Sequence, residues 1–188
     1  MADRSLVFPA DEFRHRVARL QEEMAGQGLD ALLLTTAADI FYVTGCLTRF
    51  WESPARPWFL IVPSTGDPVA VIPSIGAALM ARTWIEAIRT WDAPHPGDDG
   101  VSLLVDTLCS LLPEQARVGV PMGLETQLRM PLADYERVAA GIAPRRFVDG
   151  TGAVQRGKHV LPIAEHGHMQ RGYSVPVGDP QRRLGPAR

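Results

Sequence analysis

The run Ala31-Leu32-Leu33-Leu34 follows a glycine stop at Gly26 and Gly28 and is too short for a helix, so it reads as a strand buried on both faces. Such a strand cannot turn either side to water. It requires a sheet covered by other elements, and the preceding residues supply the first of them. From Asp11 onward, Phe13, Val17, Leu20 and Met24 fall at spacings of four, three and four, one apolar stripe of a helix. The opposite face of that helix carries Arg14, Arg16, Glu22 and Glu23.

Beyond the strand, Ala37 to Val43 predicts a short helix stopped by Gly45, and Leu47 to Pro57 an irregular loop. Trp58 to Val62 and Pro68 to Ile72 flank the turn cluster Ser64-Thr65-Gly66-Asp67 and predict an antiparallel hairpin. Ser74 to Trp84 predicts a helix, Ala87 to Trp91 a strand, and Asp92 to Gly100 a polar loop, with Asp99 placed to cap the next helix. Leu103, Leu104, Thr107, Leu108 and Leu111 make the stripe of that helix, ended by Pro113. Arg117 to Val120 is a further strand, and Pro131 sits in the first turn of a helix bearing Leu132, Tyr135, Val138 and Ala139. Arg146 to Val148 closes the pattern as a last strand. Helices alternate with strands, yet one hairpin interrupts the series. The expected fold is therefore α/β: a mixed, mostly parallel sheet with one antiparallel hairpin and helices on both faces, over residues 1–155.

Composition narrows the function classes. Of 188 residues, 46% are hydrophobic and 21% charged, which is globular and excludes disorder throughout. Nineteen basic against twenty-one acidic residues leave a net charge of -2, so neither nucleic acid nor an anionic membrane is an expected partner. Cys46 and Cys109 lie far apart without CxxC spacing, which fits reduced thiols. The opening MADRSLVFPADEFRHR lacks the apolar core of a signal peptide, and no stretch approaches the ~18 apolar residues of a membrane span. A cytoplasmic location is expected. Residues 156–188 then change character: five Gly, four Pro, and six basic against two acidic residues. They read as a disordered basic tail, with a functional basic arm as the other reading.

No catalytic residue emerges from the motifs. His166 and His168 beside Glu165 could offer two metal ligands, but a Gly/Pro-rich segment gives them no second shell, so no metal site is expected. His15 and His95 read as solvent-exposed, and Cys109 as core. There is no GxSxG elbow, no context of a catalytic thiol, and no Walker or dinucleotide loop. Asp98-Asp99 and Glu22-Glu23 are adjacent carboxylates whose side chains point apart. One segment stands out: Arg49-Phe50-Trp51-Glu52-Ser53-Pro54-Ala55-Arg56-Pro57-Trp58 places guanidinium groups beside aromatic faces on a proline-stiffened loop. That combination suits a small zwitterion or carboxylate; the competing reading is that the aromatics merely cover a sheet edge.

The segment Asp39-Ile40-Phe41-Tyr42-Val43-Thr44-Gly45 resembles the N-I-x-Y-L-T-G-F signature of the creatinase, prolidase and aminopeptidase P superfamily of pita-bread metallohydrolases. Gly28 to Leu34 after Arg19-Leu20, the hairpin from Phe59-Leu60-Ile61-Val62-Pro63 to Val71-Ile72-Pro73, and Arg117-Val118-Gly119-Val120 fall in that family's order, so the resemblance spans about residues 10–155. It implies an N-terminal domain that mediates oligomer contacts and restricts entry to the active site of a following domain. In the peptidases of the family two Asp, one His and two Glu of that following domain hold Mn, Co or Zn, whereas creatinase-type members work without metal. None of those ligands has a counterpart here, so this chain is expected to carry no cofactor and to be inactive alone.

Gln155-Arg156-Gly157-Lys158-His159 resembles the start of the family's interdomain linker, but Val160-Leu161-Pro162-Ile163-Ala164-Glu165 does not continue it, and truncation or frameshift is the expectation. Seven residues before Pro63, Arg56 occupies the place of an arginine that in creatinase-like relatives crosses a dimer to bind the substrate carboxylate, with Trp51 and Phe50 as wall residues. The expected partners are a second copy or a full-length homologue, and a dipeptide or other small substrate. The alternative is a stand-alone interaction or small-molecule-binding protein that modulates such a homologue.

Overall fold

A computed structural model describes residues 8–52 and 56–159. The chain runs α1 (Ala10–Gln27), β1 (Ala31–Leu34), α2 (Ala37–Thr44), a 3-10 turn at Arg49–Glu52, β2 (Phe59–Pro63) and β3 (Val69–Pro73). After a second 3-10 turn at Ser74–Gly76 come α3 (Ala77–Met80), β4 (Ala87–Trp91), α4 (Val101–Leu111), β5 (Arg117–Val120), α5 (Leu132–Gly141), β6 (Arg146–Asp149) and α6 (Thr151–His159). The six strands form one sheet in the order β4-β3-β2-β1-β5-β6. The predicted hairpin pairs β2 with β3, Leu60 opposite Ala70. β2 is also antiparallel to β1, with Leu33 opposite Ile61, and every other pairing is parallel.

Alternation along the strands divides the core into two layers. Leu32, Leu34, Leu60, Val62, Ala70 and Ile72 face α1, α2 and α6, where Phe13, Leu20, Met24, Ile40 and Ala153 are fully or almost fully buried. Ala31, Leu33, Phe59, Ile61, Val71, Val118 and Val120 face α4 and α5, against Leu104, Leu108, Val138 and Ile142. All four residues of β1 are buried, as a strand covered on both sides must be.

Several local expectations need correction. Arg16, expected on the exposed face of α1, is 7% exposed because its guanidinium pairs with Glu12 at 2.8 Å and lies over the rings of Phe8, Phe13 and Tyr42. The helix expected over Ser74–Trp84 breaks after Met80: the Thr83 hydroxyl donates to the Met80 carbonyl at 2.7 Å, and the Trp84 indole donates to the Val43 carbonyl at 2.9 Å. The N-cap of α4 is Gly100, and it is Asp98, not Asp99, that accepts from the first turn, from the Ser102 N–H at 2.9 Å, while Asp99 accepts from the Trp91 indole at 2.9 Å.

α6 has no counterpart among the expected elements and continues past the expected boundary at residue 155. Asp149 Oδ1 holds its first turn, accepting from the Thr151 N–H at 2.9 Å and hydroxyl at 2.6 Å. Its later turns are tied to α1 and α2: Arg156 to Glu23 at 2.6 Å, Lys158 to Asp39, and the Tyr42 hydroxyl to the Gly157 carbonyl at 2.8 Å. Residues 160–188, which hold most of the expected tail, lie outside the described residues. No described helix is long and apolar enough to cross a membrane.

Candidate functional site

Neighbouring parallel strands β1 and β5 send the chain in opposite directions. After β1 it enters α2 on the α1 side; after β5 it crosses to α5 on the other. The two connections part at the carboxyl ends of the strands and leave a crevice between them, the place where open α/β sheets characteristically accept ligands. The crevice encloses about 800 Å³, with Thr36 to Asp39 on one wall, Glu125 to Gln127 on the other, and Gln155 and Lys158 of α6 closing the end. Its polar groups are largely matched among themselves. Thr36 caps α2, its oxygen accepting from the Asp39 N–H at 3.1 Å and donating to Asp39 Oδ2 at 2.6 Å, and the other Asp39 oxygen takes Lys158. Glu125 sits at φ 60, a left-handed conformation uncommon for a side-chain-bearing residue, where the chain turns back over the crevice.

Two further clefts adjoin this crevice, and Gln127 lines all three. One is an apolar groove of about 350 Å³ with Met122, Leu128, Leu132 and Tyr135 in its walls; Leu132 is 73% exposed. The other, about 470 Å³, lies between Arg56-Pro57 and the segment Gln127 to Pro131. Arg56 reaches over this cleft with its side chain 37% exposed, its Nε 4.0 Å from Asp99 Oδ2. At that distance and exposure the pair constrains the guanidinium weakly.

The main chain of Arg56 is held more firmly. Arg129 Nη1 donates to the Arg56 carbonyl at 2.7 Å, and the same guanidinium lies 5.2 Å from the centroid of the Trp51 ring. Trp51 packs on the buried Trp58 with ring centroids 5.2 Å apart, so the aromatic wall of the loop is continuous with the start of β2. The Trp51 indole N–H is buried without a hydrogen-bond partner among the described residues. Burial lowers the pKa of Arg129 from its ordinary value.

Of the residues expected at this site, Arg56 lines the cleft, whereas Trp51 does not line it and packs behind the loop on Trp58 at the edge of the core. The side chain of Phe50, the third, lies outside the described residues. Gln127 and Arg129, on one stretch that lines the cleft, and Asp99, on another that reaches Arg56, were missed because none stands in a motif. The only signal was an arginine two residues before the proline that opens a helix, which on its own says nothing. Glu165, His166 and His168 also lie outside the described residues. Among the described residues no three His, Cys, Asp or Glu side chains converge to hold a metal ion. Cys46 is buried and its thiol is pushed up to about 11, while Cys109, expected in the core, is half-buried with its sulfur 3.6 Å from Arg145 Nη1.

Residues 16–158 match the family described as creatinase/prolidase N-terminal domain. Among solved structures, dipeptidase PepE from Mycobacterium ulcerans superimposes with a TM-score of 0.62 at 22% identity, covering 84% of this chain and 39% of its own. The N-terminal domain of Xaa-Pro dipeptidase from Lactobacillus brevis gives 0.60 at 18% identity, covering 74% of this chain and 98% of its own. The N-terminal domain of cytoplasmic peptidase PepQ from Mycobacterium tuberculosis H37Rv gives 0.54 at 15% identity, covering 76% and 98%. No curated protein sequence matches the chain. Identities this low carry the fold, and the fold agrees: a mixed sheet with helices on both faces. The chain spans well under half the length of the whole dipeptidases it resembles.

Proposed function

This chain belongs to the creatinase/prolidase N-terminal domain family, and on that premise we propose that it is the non-catalytic domain of an Xaa-Pro dipeptidase-like hydrolase, serving assembly and substrate gating in the cytoplasm. The partner is a second copy or a full-length homologue, and the catalytic domain it serves lies outside the described residues.

The observation that carries the reading is the presentation of Arg56. Its peptide is anchored by Arg129, its guanidinium is partly exposed over an open cleft, and the Asp99 carboxylate lies 4.0 Å from its Nε. A guanidinium so placed can exchange a weak surface pair for a bidentate contact with a substrate carboxylate in a neighbouring subunit. Trp51, packed on Trp58, backs the loop that presents this contact. Gating follows from the same geometry: a substrate must satisfy Arg56 before it sits correctly in the adjoining active site.

The test mixes the chain with a full-length Xaa-Pro dipeptidase homologue, follows the mixture by size-exclusion chromatography with light scattering, and assays Xaa-Pro dipeptide hydrolysis. A mixed species is expected, and within it Arg56→Ala should raise KM about 10- to 100-fold with kcat less affected, the cost of removing one charge-assisted carboxylate contact. Absence of both self-association and a mixed species would overturn the proposal. The open cleft beside Arg56 also supports the second reading, a stand-alone binder; calorimetric heat from an Xaa-Pro dipeptide titrated into the chain alone would favour it.

A further inference from the structure

We infer that Arg129 is the positioning residue that sets where Arg56 and Trp51 stand, a role that rests on the reading of Arg56 above and deepens it. Arg129 is itself fixed from behind. Its backbone N–H donates at 2.8 Å to the hydroxyl of Thr35, which is 2% exposed and directly follows β1. The residue is thus anchored to the end of β1, a strand buried on both faces.

From that anchor the guanidinium grips the loop at two described residues. Nη1 donates to the Arg56 carbonyl at 2.7 Å, and the group lies over the Trp51 ring at 5.2 Å. The two grips fall five residues apart, one on the ring that backs the loop and one on the peptide of Arg56, the group read as facing substrate. A planar guanidinium can offer a face to a ring and an in-plane N–H to a carbonyl at the same time. An ammonium is a point donor and does one or the other. Arg129 therefore passes the position of β1 to the Arg56 loop without itself having to touch a substrate.

The test uses the 188-residue chain with Arg129→Ala and Arg129→Lys, reading backbone hydrogen exchange and the fluorine spectrum of protein labelled with 5-fluorotryptophan. The Trp51 resonance is assigned by Trp51→Phe. In Arg129→Ala, the amides of Arg49 to Glu52, Arg56 and Trp58 should exchange about tenfold faster or more and the Trp51 resonance should move, while exchange in β1, β2 and β5 and the signals of Trp84 and Trp91 hold. Arg129→Lys should recover less than half of either change. The inference is overturned if the loop exchanges at the original rate in Arg129→Ala, if exchange rises equally in the sheet strands, or if lysine restores both readouts. Neither readout depends on catalysis. A loop loosened as expected, together with an Arg56→Ala that leaves KM unchanged in the mixed species, would sink the functional reading alone; an unaltered loop with a raised KM would sink only the role of Arg129.

Discussion

Cys46 lies in the core between α2 and the 3-10 turn, and burial alone pushes its thiol up to about 11. At pH 8 on the order of one such thiol in a thousand is ionised, and it is also shielded from reagent. A disulfide reagent should therefore titrate Cys109 in the native chain and Cys46 only after denaturation, as mass mapping of the labelled peptides will show. Asp149 makes the opposite case. The hydroxyl and N–H of Thr151, aided by the Met122 amide, hold its carboxyl below the usual value against a smaller opposing effect of burial. A folded-state pKa below the unfolded one means stabilisation that is complete above about pH 4 and is lost as pH falls through the folded value. Asp149→Ala should cost about 1 kcal/mol at pH 7 through loss of the cap on α6, and the gap to the unaltered chain should narrow near pH 2; urea titrations at the two pH values measure both.

The strands were legible because their signal is local. Ala31–Leu34 and Phe59–Pro63 are apolar runs with turn residues at their ends, and each forms the expected strand. α6 was not legible, and its glycines explain why. Gly152 and Gly157 lower helix propensity, yet packing favours glycine at 157: a Cβ there would meet Leu20 Cδ2 at 2.7 Å and force that buried side chain to shift. Close approach of two helices is a fact about α1 and α6 together, invisible in either sequence. The same holds where β5 meets the turn into α6. A Cβ on Gly150 would lie 2.9 Å from the backbone of Gly119, which has no flexible side chain to move aside. Gly150→Ala should thus displace main chain and cost about 1–3 kcal/mol, to be measured by chemical unfolding.

The described chain begins and ends on one face of the sheet, where α1 and α6 pack side by side over β1. α6 contributes the buried Ala153 and Val154 and anchors Arg156, Gly157 and Lys158 to α1 and α2. A chain ending at Gly150 would uncover Leu20 and Met24; it should lose about 3 kcal/mol or more and unfold less cooperatively, as calorimetry will report. The candidate site was legible only in part for a related reason. Arg56 and Trp51 could be singled out because they share one loop, whereas Arg129, 73 residues from Arg56, meets it only in the folded chain. Apolar spacing and glycine or proline stops act over a few residues, so the order of amino acids alone specified the strands, most of the helices and the two-sided burial of β1. Packing in three dimensions decided that α6 exists, that the chain parts at the ends of β1 and β5 to open a crevice, and that three separate segments meet at Arg56. Those outcomes depend on which distant backbones come close enough for a hydrogen bond or for the absence of a Cβ to matter, and no local pattern encodes such pairings.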